Sequence, residues 1–185
     1  MVGIALFTAI VVVLQLLAVG LRALGLFSIS LVLVPIVVGA AVYGWKAGAW
    51  LGFAFGAAVL LSGDAAAFLT IDVLGTVLVV LVKGTACGLV AGLVYKALER
   101  FGKLPAVIGA AIVCPIVNTG IFLLGSAVFF MPHAQAIGEM VGVDKAGFGV
   151  FIALAFGNFI IEVLMNGLLS PVFVRIIKIV KLGKK

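Results

Sequence analysis

Apolar stretches long enough to cross a bilayer recur along almost the whole chain, and few charges separate them. A spanning helix needs about 20 predominantly apolar residues. The chain is 66% hydrophobic and 10% charged, whereas a soluble domain carries about 45–50% apolar and about 25% charged residues. A water-soluble enzyme and a nucleic-acid-binding domain are therefore excluded. Six spans would use about 120 residues and leave about 65 for loops and ends. The expectation is a single membrane domain over residues 1–185. Its glycines are scattered through apolar runs, as in membrane helices, and form no linker.

The runs and their breaks predict helices at roughly 2–21, 30–44, 46–62, 75–98, 105–128 and 147–172. The expected fold is an all-α integral membrane protein, a compact six-transmembrane-helix bundle. Met1 to Gly20 lacks the positive start of a signal peptide and has too long an apolar run, so it is read as the first span. The second and third spans are parted only by Gly44-Trp45-Lys46, a tight turn. Ser62 to Asp72 reads as a loop or partial re-entry, and 129–146 as the longest polar stretch.

An even number of spans puts both termini on one side. With that side cytoplasmic, the inner loops and ends collect nine basic residues: Lys46, Lys96, Arg100, Lys103, Arg175, Lys178, Lys181, Lys184 and Lys185. The outer side holds Arg22 and Lys145. Nine against two is a strong positive-inside bias, and Tyr43, Trp45 and Tyr95 fall at the inner interface. Both termini are expected in the cytoplasm. From Phe173 onward, Phe173, Ile176, Ile177 and Val180 recur at helical spacing, with Arg175, Lys178 and Lys181 on other faces. Residues 173–185 thus read as a basic amphipathic cytoplasmic tail lying on anionic lipid.

Polar side chains inside a bilayer are costly unless they are paired or face a cavity. Lys83 falls about 10–12 Å below the outer end of its span, at about 1.5 Å per residue. Asn118 and Thr119 fall about 15 Å deep and Asn158 about 16 Å, in the same layer. A cation with amide and hydroxyl neighbours in an apolar pocket suits a small anionic ligand, most simply a carboxylate. Glu162 falls about 10 Å deeper than Lys83, and a structural pairing of the two is the competing explanation. Asn158, Glu162 and Asn166 form one stripe at four-residue steps that must face the bundle interior, and Asn158 and Glu162 join Lys83, Asn118 and Thr119 as candidate substrate-binding residues. Pro115, shortly before Asn118, would free a carbonyl and bend its helix.

Small residues also recur every fourth position. Gly84, Gly88 and Gly92 suit close packing within the bundle. Gly48 and Gly52, followed by Gly56, make a second stripe, and Ala5 and Ala9 a third on the first span. Ala5, Ala9, Gly48 and Gly52 are expected to form smooth faces for a partner protein. No catalytic residue, cofactor or metal site is expected. A lone histidine lies in a loop, two thiols alone make no zinc site, and no phosphate-binding glycine loop with Lys-Ser or Lys-Thr is present. Cys87 and Cys114 are expected as free buried thiols.

The stretch Pro35-Ile-Val-Val-Gly-Ala-Ala-Val-Tyr-Gly-Trp-Lys-Ala-Gly-Ala-Trp-Leu-Gly, with Leu61-Ser-Gly-Asp64 beyond it, resembles helices two and three of the substrate-binding S components of energy-coupling factor (ECF) transporters. The pair Ala5-Leu-Phe-Thr-Ala9 is similar to the alanine motif by which the first helix of that family docks on a transmembrane coupling subunit. The resemblance covers nearly the whole chain. It implies a vitamin-binding component of an ABC-type importer in a bacterial or archaeal cell membrane, working with a coupling subunit and two ATPases. It also implies toppling in the bilayer to release substrate inside, with the ligand near the outer surface under the loop joining helices one and two. It does not fix the substrate. A buried lysine and phenylalanine-rich walls favour a small carboxylic acid: pantothenate first, then lipoate, biotin or a short fatty acid. The competing classes are a non-transporting assembly protein, which would gain no stability from a ligand, and a stand-alone secondary transporter, for which no internal repeat is evident.

Overall fold

A computed structural model of the protein describes residues 2–23, 31–145 and 147–182. Among them every regular element is helical. The helices are α1 (Val2–Ala23), α2 (Leu33–Tyr43), α3 (Trp45–Leu61), the short α4 (Ala66–Leu69), α5 (Val73–Leu98), α6 (Lys103–Gly125), α7 (Ala134–Val141) and α8 (Gly149–Leu182). Four stretches are long and apolar enough to cross a membrane: Val2–Leu21, Val73–Phe101, Lys103–Val141 and Gly149–Ile179. The apolar helices α2 and α3 are shorter. Large apolar side chains such as Leu16, Leu17, Leu78, Leu124, Phe156 and Leu164 cover the outside. The chain is thus an all-α protein with a surface suited to lipid.

The breaks follow local chemistry. Between α2 and α3 the backbone passes through Gly44 at φ 91°, a left-handed-side value that an L side chain rarely adopts. Asp72 starts α5 by accepting a hydrogen bond from the Gly75 amide at 3.0 Å. After a 3₁₀ turn over Glu99–Phe101, Gly102 redirects the chain into α6. Beyond α6 the helical ladder widens into a π turn at Ser126–Phe130, tightens at Met131–His133 and enters α7.

The helices run alternately up and down. Gly48 packs on the Gly88 backbone and Gly52 on that of Gly84, so α3 and α5 are antiparallel. A Cβ at any of these four positions would run into the facing backbone. α1 starts against the α2–α3 turn, where Gly3 abuts the Tyr43 phenol, and its far half reaches the segment after α3, where Gln15 meets Asp64. One end of the bundle therefore carries the α2–α3 and α5–α6 turns, and the other carries α4 and α7.

Two apolar clusters fill the interior. The larger joins Val11, Ile36, Leu51, Cys87, Val107, Cys114, Phe173 and Ile177. The smaller, at the α4–α7 end, holds Val79, Phe130, Ile137, Val150 and Phe151. Phe173 and Ile177 are each 1% exposed and pack in the larger core, where α8 meets α2. α8 runs unbroken through Pro171 to Leu182, with Phe173 and Ile177 turned to protein while Ile176 and Ile179 stay exposed. Lys184 and Lys185 lie outside the described residues. The expected polar stretch 129–146 likewise contains a helix, α7, whose Ala134, Ile137 and Gly138 face inward while Gln135 and Glu139 face out. Ser62 to Asp72 contains a turn and α4.

Candidate functional site

A cavity of about 620 Å³ opens at the α4–α7 end of the bundle. Its polar lining comes from Asp64 after α3, Thr76 and Lys83 on α5, and Asn118 and Thr119 on α6. The volume falls within the roughly 300–1,000 Å³ typical of small-molecule sites.

The aromatic part of the wall is built by contact between distant segments. The Phe68 ring of α4 meets Phe122 at 5.7 Å and Phe130 at 5.1 Å between centroids, both edge to face. Lys83 Nζ stands 5.4 Å from the centroid of the Phe122 ring, within cation–π range. One helical turn before Phe122, Asn118 is 6% exposed. Its Oδ1 is buried and makes no hydrogen bond among the described residues. Such an acceptor is costly unless something supplies a donor. Pro115, inside α6, offers no N–H to the carbonyl four residues earlier, which leaves the helix beneath Asn118 less tightly tied.

Of the residues singled out by sequence, Lys83, Asn118 and Thr119 come together on this cavity. The Asn158 side chain lies outside the described residues. Glu162 does not reach the cavity wall; it is 2% exposed, in the interior near Cys114. Glu162, Asn166 and Ser170 are all buried, so the polar stripe of α8 faces the bundle interior, where Ser170 Oγ donates to the Asn166 carbonyl at 2.8 Å. Cys87 and Cys114 are free, buried thiols in contact across α5 and α6.

Asp64, Phe68 and Thr76 also line the cavity and Gln15 partners Asp64, roles that are not among the sequence expectations. Asp64 had a visible signal, a lone carboxylate just beyond an apolar span. Phe68 is placed by α4, whose four residues are too few for any periodicity to show.

Ala5 and Ala9 are exposed on α1, beside exposed Leu6 and Ile10. Trp50 of α3 is exposed on the same side and donates from Nε1 to Thr8 Oγ1 at 3.2 Å. Gly48 and Gly52 do not share that open face. Both are buried against the α5 backbone, which corrects their expected place in a partner surface: their missing side chains allow α3 and α5 to touch.

A helical membrane protein with a partly polar pocket opening at one end has a form that suits substrate capture by a transporter. The sequence matches the family model of the ECF transporter, substrate-specific component, over residues 1–177. The chain belongs to that family. No curated protein and no solved structure gives a significant match. As a substrate-specific component it is a multi-pass cell-membrane protein and a transporter part, and its family works with a transmembrane coupling subunit and ATPases in a lipid bilayer.

Proposed function

We propose that this chain captures a small vitamin or vitamin-like carboxylic acid at the α4–α7 end and delivers it inward with a coupling subunit and two ATPases. Pantothenate is the first candidate, followed by lipoate, biotin or a short fatty acid. The observation that carries the reading is that one cavity holds both the Lys83 cation and Asn118, whose buried Oδ1 has no hydrogen-bond partner among the described residues. Lys83 takes the carboxylate, Asn118 and Thr119 supply hydrogen bonds, and Phe68 and Phe122 enclose the apolar body. Asn158 and Glu162 complete the proposed set, Asn158 as a further hydrogen-bonding group and Glu162 as a buried carboxylate behind the wall.

In this reading the six helices α1, α2, α3, α5, α6 and α8 form a single membrane domain in a bacterial or archaeal cell membrane. Both termini lie in the cytoplasm, and the cavity opens outward. The basic residues Lys96, Arg100 and Lys103 at the α5–α6 turn support that orientation. The exposed Ala5 and Ala9 present a smooth strip for the coupling subunit.

A thermal-stability screen of the purified chain against water-soluble vitamins and small acids tests the proposal. Binding to the native state raises stability by about 2.7 kcal/mol at a hundredfold excess over Kd. A stabilising ligand with a carboxylate is the expected result. Stabilisation only by uncharged compounds, or by nothing, would overturn it.

A further inference from the structure

The cavity holds a negative side chain as well as a positive one. Gly63, at φ 78°, turns the chain at the end of α3, and Asp64 follows on the cavity wall. Gln15 of α1, only 2% exposed, donates from Nε2 to Asp64 Oδ2 at 3.1 Å. A buried amide thus holds the carboxylate in place. Ala65 and Phe68, its neighbours along the wall, are apolar, so this carboxylate is a specific polar group in an otherwise greasy stretch. A carboxylate offers about four acceptor positions and can take a ligand's donor alongside protein partners such as Gln15.

We infer that Asp64 determines specificity, selecting acids that also carry hydrogen-bond donors and rejecting purely hydrocarbon acids and diacids. This rests on the carboxylate reading of Lys83 given above and narrows it. A hydrocarbon tail laid against Asp64 strips water from a carboxylate and gives nothing back, whereas a hydroxyl, amide or ureido N–H replaces the water. A second anionic group would meet a like charge. The candidate acids then divide. Pantothenate, with hydroxyls and an amide N–H, and biotin, with ureido N–H groups, fit the site. Lipoate and hexanoate do not. Gln15 acts through Asp64 and is a positioning residue.

Calorimetric titration of the purified full-length chain with pantothenate, biotin, lipoate and hexanoate tests the inference. The expected result is that pantothenate or biotin binds at least about tenfold tighter than either hydrocarbon acid. Asp64→Asn, which keeps the shape, and Asp64→Leu, which makes the wall apolar, should each shrink that ratio, and Gln15→Leu should shrink it by less. Melting of each variant without ligand checks that it is folded. The wild-type ratio decides the matter even if a variant fails to fold. Tightest binding of lipoate or hexanoate by the wild type, or a ratio unchanged in folded Asp64→Asn, overturns the role of Asp64 and leaves Lys83 standing. Binding of none of the four acids overturns the carboxylate reading and this inference together.

Discussion

Lys83 and Phe122 meet on the cavity wall, the ammonium 5.4 Å from the ring centroid. The ring gives the cation an attractive partner that carries no charge, so it does not compete with an anionic ligand. Lys83→Met keeps the side-chain length and removes the charge. A charge-assisted hydrogen bond contributes about 1.5–3 kcal/mol, so the variant should bind roughly ten- to more than a hundredfold more weakly. Titration of the folded variant that returns wild-type affinity would count against the site.

Asn118 separates binding from stability. Its Oδ1 is buried without a hydrogen-bond partner among the described residues, and removing such an atom should cost the empty protein little. Asn118→Leu is expected to melt within a few degrees of the wild type yet bind about tenfold more weakly. Loss of melting temperature with affinity retained would make Asn118 structural.

The glycine seam makes the opposite prediction. A Cβ on Gly84 would strike the Gly52 backbone, whereas Gly120 of α6 has nothing within 4 Å of such an atom. Gly84→Ala should therefore destabilise the protein by about 1–3 kcal/mol. Gly120→Ala, at an open helical site, should be neutral or stabilising by about 0.4–1 kcal/mol. Thermal melting in one detergent compares the two, and equal melting temperatures would contradict the packing.

Ala5 and Ala9 bear on assembly. Ala9→Trp, and Ala5→Trp likewise, should block co-purification with the coupling subunit and abolish uptake while ligand titration stays unchanged. The prediction fails if assembly survives and ligand binding is lost.

Orientation is open to direct labelling, because the native thiols Cys87 and Cys114 are buried. In intact cells Phe101→Cys should resist a membrane-impermeant maleimide and Ala136→Cys should react. The reverse pattern would invert the topology.

Long elements were legible in the sequence because apolar length alone defines them. The runs marking α1, α5, α6 and most of α8 needed no knowledge of neighbours. Lys83, Asn118 and Thr119 were legible for a related reason: a polar group in such a run must be accommodated somewhere. What stayed hidden depended on contacts between distant segments. α4 and α7 are too short to show themselves, and α7 mixes an inward face of Ala134 and Ile137 with outward Gln135 and Glu139. The glycine stripe of α3 announced a smooth face, but only the facing stripe at Gly84 and Gly88 decides that α5 occupies it. Phe173 and Ile177 show the same limit. Helical spacing gives an apolar face, and the tertiary fold determines whether lipid or α2 covers it.

The seam between α3 and α5 also has a mechanical meaning. Where backbone rests on backbone, no side-chain rotamer can absorb a displacement, so a slide of one helix past the other would drive Gly52 or Gly48 onto residues that bear side chains. The pair must travel as one stiff plank. Asp64 hangs from the upper end of α3, and Lys83 sits one residue before the seam glycine Gly84. Lys83 is therefore built into the plank, and Asp64 is tethered to it through the Gly63 turn. Motion that admits or frees a ligand then falls to the elements around the plank, while the Lys83 backbone keeps its place on it.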